Sequence, residues 1–430
     1  MSSYKRKTEI KEREFEEIKT ENDKTYFLLN NGNITKESLN VTSAQRSDDS
    51  NDSEEIAQWN YDSDDNESVA QWNDDSDDTE SLAQWNDSDD SEANEERGVK
   101  SDATKRPLIG DHETQESEGG EVNLHKHLDD CKKNPDHKQF IPVDTFTLND
   151  LPKEYQDNDL YEFLKVIADL TVRISVEMTS PDRPEFWPET TQPYPFSKTS
   201  TPKDLRTGSG IVRHVTKFQD GVRQDGYIGP TVYKKCWCKI CEGSDSASSV
   251  WWEIDVNTAT HVVFDDIEAS HTILRLFFDR ENCDKVVVDT VSVQYFNIEY
   301  DMCGLKCVTC NENLGNKLIE MWNDYEIIHG KVFNKYKSDS LGNTSQGVEF
   351  KLNFIVSHPH GCSKQVSIGE WKDKLEVGED RAKFTYNTCT CPGSSGAHVI
   401  CLGYNDDWLS DLVHSGTLDS KINYSGVGLF

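Results

Sequence analysis

Two stretches of the sequence carry residue types suited to nucleophilic catalysis. Ser395 lies in the run Pro-Gly-Ser-Ser-Gly at 392–396, and a glycine-rich loop of this kind can point backbone N–H groups at a developing oxyanion. His261 ends the run Thr-Ala-Thr-His at 258–261, after a tryptophan-rich apolar segment. A serine becomes a nucleophile when a neighbouring base takes its proton, and histidine is the usual base. The two motifs therefore predict a hydrolase in which His261 activates Ser395.

A serine–histidine pair of this kind needs a carboxylate that orients the imidazole and stabilises its charged form. Asp301 is the best candidate between the two motifs, because it immediately precedes a segment with the alternation of a half-buried strand. Three other acids compete for the role, and they are Asp279, Asp284 and Asp289.

The order His261, Asp301, Ser395 resembles that of trypsin-like serine peptidases of the chymotrypsin fold. The resemblance covers about 205–430 and includes three further runs: Gly-Ser-Gly at 208–210, His-Pro-His-Gly at 358–361 and Val-His-Ser-Gly at 413–416. It implies a mainly β fold of two antiparallel six-stranded β-barrels with the site in the cleft between them. It also implies an acyl-enzyme mechanism and an oxyanion hole made by the N–H groups of Gly393 and Ser395.

Three residues depart from the pattern of this family and indicate which branch of it the sequence resembles. Ser394 stands where zymogen-derived relatives carry an aspartate, and Val262 stands where secreted digestive relatives carry a cysteine. The chain therefore resembles the non-zymogen branch, with a site that is either preformed or shaped by the arm at 150–200. His398 occupies a position where proline is common, which leaves the local packing open.

The resemblance also implies a substrate pocket formed by Cys389, His414, Ser415 and Gly416. Cys389 at the pocket base is not an acid, so a preference for Lys or Arg at P1 is disfavoured. His414 resembles the pocket histidine of glutamyl endopeptidases, which favours Glu or Gln at P1. The alternative is that His414 is simply a structural strand residue.

Three regions are predicted along the chain. Residues 1–145 form a largely disordered acidic region, because residues 41–100 hold 20 acidic and 3 basic side chains and few large aliphatic ones. Residues 146–204 form an amphipathic helix within 153–180 and a Pro-rich extended arm. Residues 205–430 contain short β-branched and aromatic runs, with one helix predicted at 312–326.

The acidic region contains a 13-residue repeat over 56–91, with tryptophans at Trp59, Trp72 and Trp85. A tryptophan in a solvated tract can anchor in a partner's pocket, so these three residues predict an adaptor-binding segment. Tandem duplication without function is the alternative. The net charge of −34 argues against a nucleic-acid partner.

Twelve cysteines occur in a sequence with no secretory signal and no apolar run long enough to span a membrane, which predicts a cytoplasmic protein. Close spacing makes six of them weak zinc candidates: Cys236, Cys238, Cys241, Cys303, Cys307 and Cys310. Buried thiols and disulfides are the alternatives, and no catalytic metal or other cofactor is expected.

The leading interpretation is a serine endopeptidase acting on a protein or peptide substrate. A second is a catalytically inactive peptidase fold that serves as a binding or scaffold module through its acidic Trp-repeat tail. A third is a purely regulatory or structural protein whose acidic repeats bind a basic partner.

Overall fold

The computed structural model describes residues 108–198, 204–226, 233–336, 350–378, 380–404 and 412–429, together with the backbone of four short strands near the start of the chain. Those four strands form two hairpins: β1 Arg6–Ile10 with β2 Arg13–Glu17, and β3 Leu28–Asn30 with β4 Asn33–Thr35. The tryptophan repeats at 56–91 lie outside the described residues, so the adaptor prediction is not addressed by the structure.

The remaining elements follow in chain order. Residues 108–157 contribute β5 Asp111–His112, β6 Gln115–Ser117, α1 Leu124–Asp129, β7 Phe140–Pro142 and short 3-10 helices at Gly120–Asn123, Pro135–His137, Leu148–Asp150 and Lys153–Tyr155. Residues 158–336 contribute α2 Asn158–Leu170, β8 Thr171–Val176, β9 Leu205–Gln219, β10 Val222–Arg223, β11 Val250–Thr258, α3 Asp266–Ala269, β12 Thr272–Leu276, β13 Val286–Val288, β14 Val291–Asn297, β15 Met302–Thr309 and α4 Glu312–Tyr336. The last part contributes β16 Leu352–Ser357, a 3-10 helix Pro359–Gly361, β17 Gln365–Glu376, β18 Arg381–Tyr386, β19 Val399–Cys401, β20 His414–Thr417, β21 Asn423–Ser425 and β22 Gly428–Leu429.

The described strands after β4 form two curled antiparallel sheets, so the predicted mainly β fold class is confirmed. The first sheet has the order β13-β12-β8-β9-β11-β15-β14, with β6 and β10 also paired to β9. The second has the order β19-β16-β17-β18-β21-β20-β5, with β7 paired to β17 and β22 to β18. Each sheet thus has nine strands where six were expected. Short added strands of two or three residues account for the difference: β6, β10 and β13 in the first sheet, and β5, β7 and β22 in the second.

Helix α2 confirms the amphipathic helix predicted within 153–180. It begins after Asp157, whose side chain accepts a hydrogen bond from the N–H of Leu160 at 3.0 Å and so caps the first turn. Its buried face is apolar and includes Leu160, Phe163, Leu164, Ile167 and Leu170. This face joins the hydrophobic core that the two sheets share with α4.

Helix α4 begins at the predicted position but continues ten residues beyond the predicted end at 326. The apolar spacing continues through Ile328, Val332 and Tyr336, which are all buried. These residues extend the contact between α4 and α2, so tertiary packing carries the helix past the segment that the prediction took as its end.

Residues 108–145 differ from the prediction of a largely disordered region up to residue 145. Strands β5 and β7 add to the second sheet and β6 adds to the first. The chain from residue 108 is therefore folded against both sheets, and the boundary of the folded part lies upstream of 146. Few large aliphatic side chains occur here, so the segment gives little hydrophobic signal; backbone pairing holds it in place.

Candidate active site

His261 lies three residues after the end of strand β11, which is paired on both sides in the first sheet. The hydroxyl of Thr260 donates to the carbonyls of Asn297 at 3.0 Å and Met302 at 2.6 Å, which fixes the turn that carries the histidine. Val262, on the other side, is fully buried in the core. The imidazole is therefore held by its neighbours on both sides and is itself buried.

Asp301 lies in the turn before β15 and faces His261. Its two carboxylate oxygens are 2.9 and 2.8 Å from Nδ1 of His261, and one of them also accepts the backbone N–H of His261 at 3.2 Å. The hydroxyl of Ser415 donates to the same carboxylate. Two of the competing acids are paired elsewhere, since Asp279 contacts Lys364 and Asp289 contacts Lys239.

Ser395 completes this chain of hydrogen bonds, because its Oγ is 2.7 Å from Nε2 of His261. Ser209 of β9 holds the loop that carries Ser395 with two hydrogen bonds. Its N–H donates to the carbonyl of Ser395 at 2.8 Å, and its hydroxyl donates to the carbonyl of Gly393 at 2.9 Å. The structure thus brings together the three residues that the sequence singled out.

The loop needs both of its glycines. Gly393 has φ of +98°, and a Cβ on it would lie 2.4 Å from the carbonyl oxygen of His358. Gly396 has φ of +82°, and a Cβ there would lie 2.4 Å from the carbonyl oxygen of Ser209. A side chain at either position would meet backbone atoms that cannot move away cheaply, so the loop conformation requires glycine.

The cleft beside Ser395 is occupied by the chain's own segment 111–113. Strand β5 pairs antiparallel with β20, with His112 opposite Gly416 and Asp111 opposite Thr417. The carbonyl oxygen of Glu113 accepts hydrogen bonds from the N–H groups of Gly393 at 2.6 Å and Ser395 at 3.2 Å. The N–H of Glu113 is 3.0 Å from Oγ of Ser395. The segment therefore lies across the loop as an extended peptide, with one carbonyl between the two predicted oxyanion donors.

The side chain of Glu113 enters a buried polar pocket. One carboxylate oxygen is 2.7 Å from Nε2 of His414, and the other is 2.5 Å from Nζ of Lys133. Burial alone would raise the pKa of Glu113, but the hydrogen bond from His414 together with the charge and hydrogen bond of the Lys133 ammonium outweigh it and lower that pKa to about 2. Glu113 is therefore an ionised carboxylate held by a cation and an imidazole.

His414 is the predicted pocket residue that contacts Glu113 directly. Its Nδ1 is 2.7 Å from the hydroxyl of Tyr386 of strand β18, so both ring nitrogens have partners. Burial lowers the pKa of His414, which favours the neutral imidazole. The positive charge of the pocket is therefore supplied by Lys133.

The other three predicted pocket residues, Ser415, Gly416 and Cys389, contact residues other than the Glu113 side chain. Ser415 bonds to Asp301, Gly416 pairs through its backbone with His112, and Cys389 donates to Oδ1 of Asn134 at 3.0 Å. Lys133 was missed, because it falls in the region that the charge pattern assigned to disorder. Its ammonium is held by Thr390, in the connection between β18 and β19, at 3.1 Å and by Asn423 of β21 at 2.9 Å.

The residues that depart from the family pattern have satisfied local contacts. Ser394 exchanges a hydrogen bond with the hydroxyl of Ser357 at 3.0 Å and accepts the N–H of Cys391 at 3.2 Å. His398 has its Nδ1 3.2 Å from the carbonyl of Leu412, and burial lowers its pKa to about 3. A neutral His398 thus replaces proline without an unpaired charge in the core.

Two residues of the Pro-rich arm, Arg183 and Phe196, contact the site. Arg183 is buried, and its guanidinium binds both carboxylate oxygens of Glu268 at 2.7 Å and donates to the backbone carbonyl of His261 at 3.1 Å. Phe196 packs edge-on against His112 of the segment in the cleft, with ring centroids 4.8 Å apart. The arm therefore contacts both the histidine and the peptide that lies next to it.

Four of the six cysteine candidates for zinc come together. Cys236, Cys238, Cys241 and Cys310 form the Cys310 cluster, in which the sulfur of Cys310 is 3.7 Å from that of Cys238 and 3.8 Å from that of Cys241. Cys303 and Cys307 lie apart from it in the main hydrophobic core, and burial raises the pKa of both thiols. The alternation of strand β15 turns these two side chains into the core, away from the cluster.

A second group of side chains of the types that can bind a metal lies outside the zinc candidates of the sequence. Cys131, His137, His360 and Cys391 form the Cys131 cluster, whose ligand atoms all lie within 4.8 Å of one another. Cys391 precedes the Ser395 loop, and Cys131 and His137 flank Lys133. Sequence spacing could not reveal this group, since its members come from three distant parts of the chain.

Comparisons with known proteins find distant structural likeness only. No protein-family model and no curated protein matches the sequence. Among solved structures, the HtrA-type protease AlgW with a decapeptide is 11% identical over 62% of this chain and 63% of its own, less than two thirds of its length, with a TM-score of 0.31. Deg5 is 11% identical over 64% of this chain and 90% of its own, with a TM-score of 0.32. The Rv3671c protease from M. tuberculosis in its active form is 11% identical over 63% of this chain and 82% of its own, with a TM-score of 0.30.

Among the described residues, no helix is both long enough and apolar enough to cross a membrane.

Proposed function

We propose that this chain is a serine endopeptidase that cleaves peptide bonds on the carboxyl side of glutamate. The observation that carries the proposal is the position of Glu113: its carbonyl oxygen lies between the N–H groups of Gly393 and Ser395, beside the Ser395 hydroxyl. A peptidase must hold the carbonyl of the bond to be cut in this way.

In this proposal His261 takes the proton of Ser395 as the hydroxyl attacks the carbonyl carbon. Asp301 keeps the imidazole oriented and stabilises the charge that forms on it. The N–H groups of Gly393 and Ser395 stabilise the oxyanion. The acyl-enzyme is then hydrolysed by water, with His261 as the base.

The proposed preference for glutamate rests on the pocket. Lys133 supplies a charge that a glutamine side chain would not satisfy, and His414 supplies a hydrogen bond. The contacts around Glu113 thus favour Glu over Gln, whereas His414 alone favours neither. Cytoplasmic location and an adaptor bound by the acidic tail stay predictions.

The test uses a fluorophosphonate probe on the full chain and on its Glu113→Ala variant, in which segment 111–113 loses its carboxylate contacts. We expect labelling that is lost on Ser395→Ala and kept on the exposed control Ser420→Ala. A peptide panel that differs only at P1 should be cut after Glu. Absence of both labelling and cleavage in folded protein would favour the inactive peptidase fold, and cleavage after basic residues would overturn the pocket assignment.

A further inference from the structure

Segment 111–117 lies in the cleft as a bound substrate would, on both sides of the bond between Glu113 and Thr114. Upstream of that bond, Asp111 and His112 pair with β20 of the second sheet. Downstream of it, Gln115, Glu116 and Ser117 pair with Thr207, Arg206 and Leu205 of β9 in the first sheet. An extended peptide hydrogen-bonded on both sides of one carbonyl is held in a reactive position at low entropic cost.

We propose that the chain cuts itself between Glu113 and Thr114, an inference that rests on the proposed function and names its first substrate. Oγ of Ser395 forms a bond to the carbonyl carbon of Glu113, and its proton passes to Nε2 of His261. The bond to the nitrogen of Thr114 breaks as that nitrogen takes the proton. Water then adds to the acyl-enzyme, giving a new carboxyl terminus at Glu113, a new amino terminus at Thr114 and a restored Ser395 hydroxyl.

The part of the pocket that lies downstream of this bond stays with the folded protein. Lys133 follows the cut, as do β6, α1 and β7. The released piece contains the acidic region and its three tryptophan repeats. Cleavage therefore separates the predicted adaptor-binding segment from the proposed peptidase and vacates the cleft.

The test follows the full chain by intact mass and amino-terminal sequencing. We expect a product that begins Thr-Gln-Glu-Ser, with a rate constant unchanged over a hundredfold dilution. The Ser395→Ala and Glu113→Ala variants should remain intact, and the exposed control Glu118→Ala should be cut like wild type. Adding active wild type to the Ser395→Ala chain at low concentration should leave the latter intact.

The outcomes separate the two proposals. If an added Glu-containing peptide is cut while the 113–114 bond survives, self-cleavage is overturned and the proposed function stands. If the Ser395→Ala chain is cut as fast as wild type cuts itself, the reaction is intermolecular and the inference fails. If neither the peptide nor the chain is cut, both proposals fail.

A second inference rests on the two cysteine clusters and is independent of the first. Zinc–sulfur bonds of about 2.3 Å at tetrahedral angles place two sulfurs about 3.8 Å apart. The sulfurs of Cys131 and Cys391 are 3.6 Å apart, and in the Cys310 cluster the sulfur of Cys310 is 3.7 and 3.8 Å from two of its neighbours. Nε2 of His137 is 3.5 Å from the sulfur of Cys391.

His360 gives separate support. It is 3% exposed, and its Nε2 has no hydrogen-bond partner among the described residues. Its Nδ1 is 2.8 Å from Oε1 of Gln115. A metal-binding histidine characteristically donates its other ring N–H to an oxygen in this way. The unpartnered nitrogen is therefore the one available to a metal.

The structure assigns a zinc site of two cysteines and two histidines to the Cys131 cluster, and an all-cysteine zinc site to the Cys310 cluster. The first would tie the segment that carries Lys133 to the strand that leads into the Ser395 loop. Its role is to position the pocket, since all four protein ligands close the tetrahedron and leave no open position.

The test measures zinc per chain in protein purified without chelator. We expect about two equivalents in wild type, about one in Cys131→Ser and in Cys310→Ser, and two in the control Cys283→Ser, whose thiol lies outside both clusters. Unchanged zinc in Cys131→Ser, or a disulfide between Cys131 and Cys391, would overturn the first site. If a variant fails to fold, alkylation of the wild-type thiols is measured with and without a zinc chelator. Cys131 and Cys391 should be alkylated only when the chelator is present. Equal alkylation in its absence contradicts the site.

Discussion

Arg183 donates a hydrogen bond from Nη2 to the backbone carbonyl of His261 at 3.1 Å, while its Nε and Nη2 both bind the carboxylate of Glu268 at 2.7 Å. The proline-rich arm thus reaches beneath the histidine and fixes its main chain. Arg206 of β9 also contacts Glu268, at 3.1 Å, so the arm is joined to the first sheet through one shared carboxylate.

Replacing Arg183 with alanine should destabilise the protein by about 1.5–3 kcal/mol, because Glu268 loses two buried hydrogen bonds to a charged group while Arg206 still neutralises it. Urea unfolding in the Ser395→Ala background, where the chain stays intact, measures the change. The exposed pair of Lys198 and Glu185 provides the control, since Lys198→Ala should cost less than about 1 kcal/mol. Equal effects of the two substitutions would contradict the supporting role of Arg183.

Replacing Lys133 with methionine should shift the substrate preference from Glu toward Gln at P1. Removing the cation leaves a buried carboxylate without its charged partner, so kcat/KM for a Glu peptide should fall at least about 30-fold. The Gln peptide should change far less. Lys138→Met is the matched control, because Lys138 is exposed and outside the pocket. A uniform loss on both peptides would show that Lys133 does not select for charge.

Replacing Gly393 with alanine should lower kcat by about 10²–10³-fold, because the loop can no longer present its N–H to the oxyanion. Gly378→Ala is an informative control. Gly378 also has positive φ, at +84°, but a Cβ there meets nothing within 4 Å. Both variants bear backbone strain, so a matching loss of activity in Gly378→Ala would attribute the effect to strain alone.

Acid should destabilise the intact chain through Glu113. Its pKa is lowered from 4.5 to about 2 in the folded protein, so its contribution to stability is complete above pH 4.5 and is lost as the pH falls through 2. Unfolding free energies of Ser395→Ala, with and without Glu113→Gln, should therefore converge across this window. A difference that stays constant from pH 5 to pH 2 would contradict the ionised state of Glu113.

How much of this site could be predicted depends on how local its signals are. The Ser395 loop and the His261 turn have short motifs, and His414 follows Ser395 at a spacing typical of one family. Lys133 has no such signal, since its partner Asn423 lies at the other end of the chain. The hydrophobic content of its segment gave no reason to expect folded structure.

The cysteines illustrate the same limit. Spacing grouped Cys303 and Cys307 with Cys310, yet strand β15 alternates and buries the first two in the core. Spacing gives no reason to group Cys131 with Cys391, because 260 positions separate them. Local patterns therefore predicted the sheets and the α2 helix, while long-range pairing determined which thiols meet.

Lys133 lies far before Ser395 and His261 in the sequence, and this position has a consequence for how substrate specificity could change between related proteins. The residues that we propose to act on the bond lie in 205–430, whereas Lys133, the cation that we propose to select the substrate, lies on a short preceding segment. A recombinant fragment that starts at residue 146 would keep Ser395, His261 and the strand β8 of the first sheet but lose that cation. Homologues that exchange this segment would change their targets while the rest of the domain stays alike.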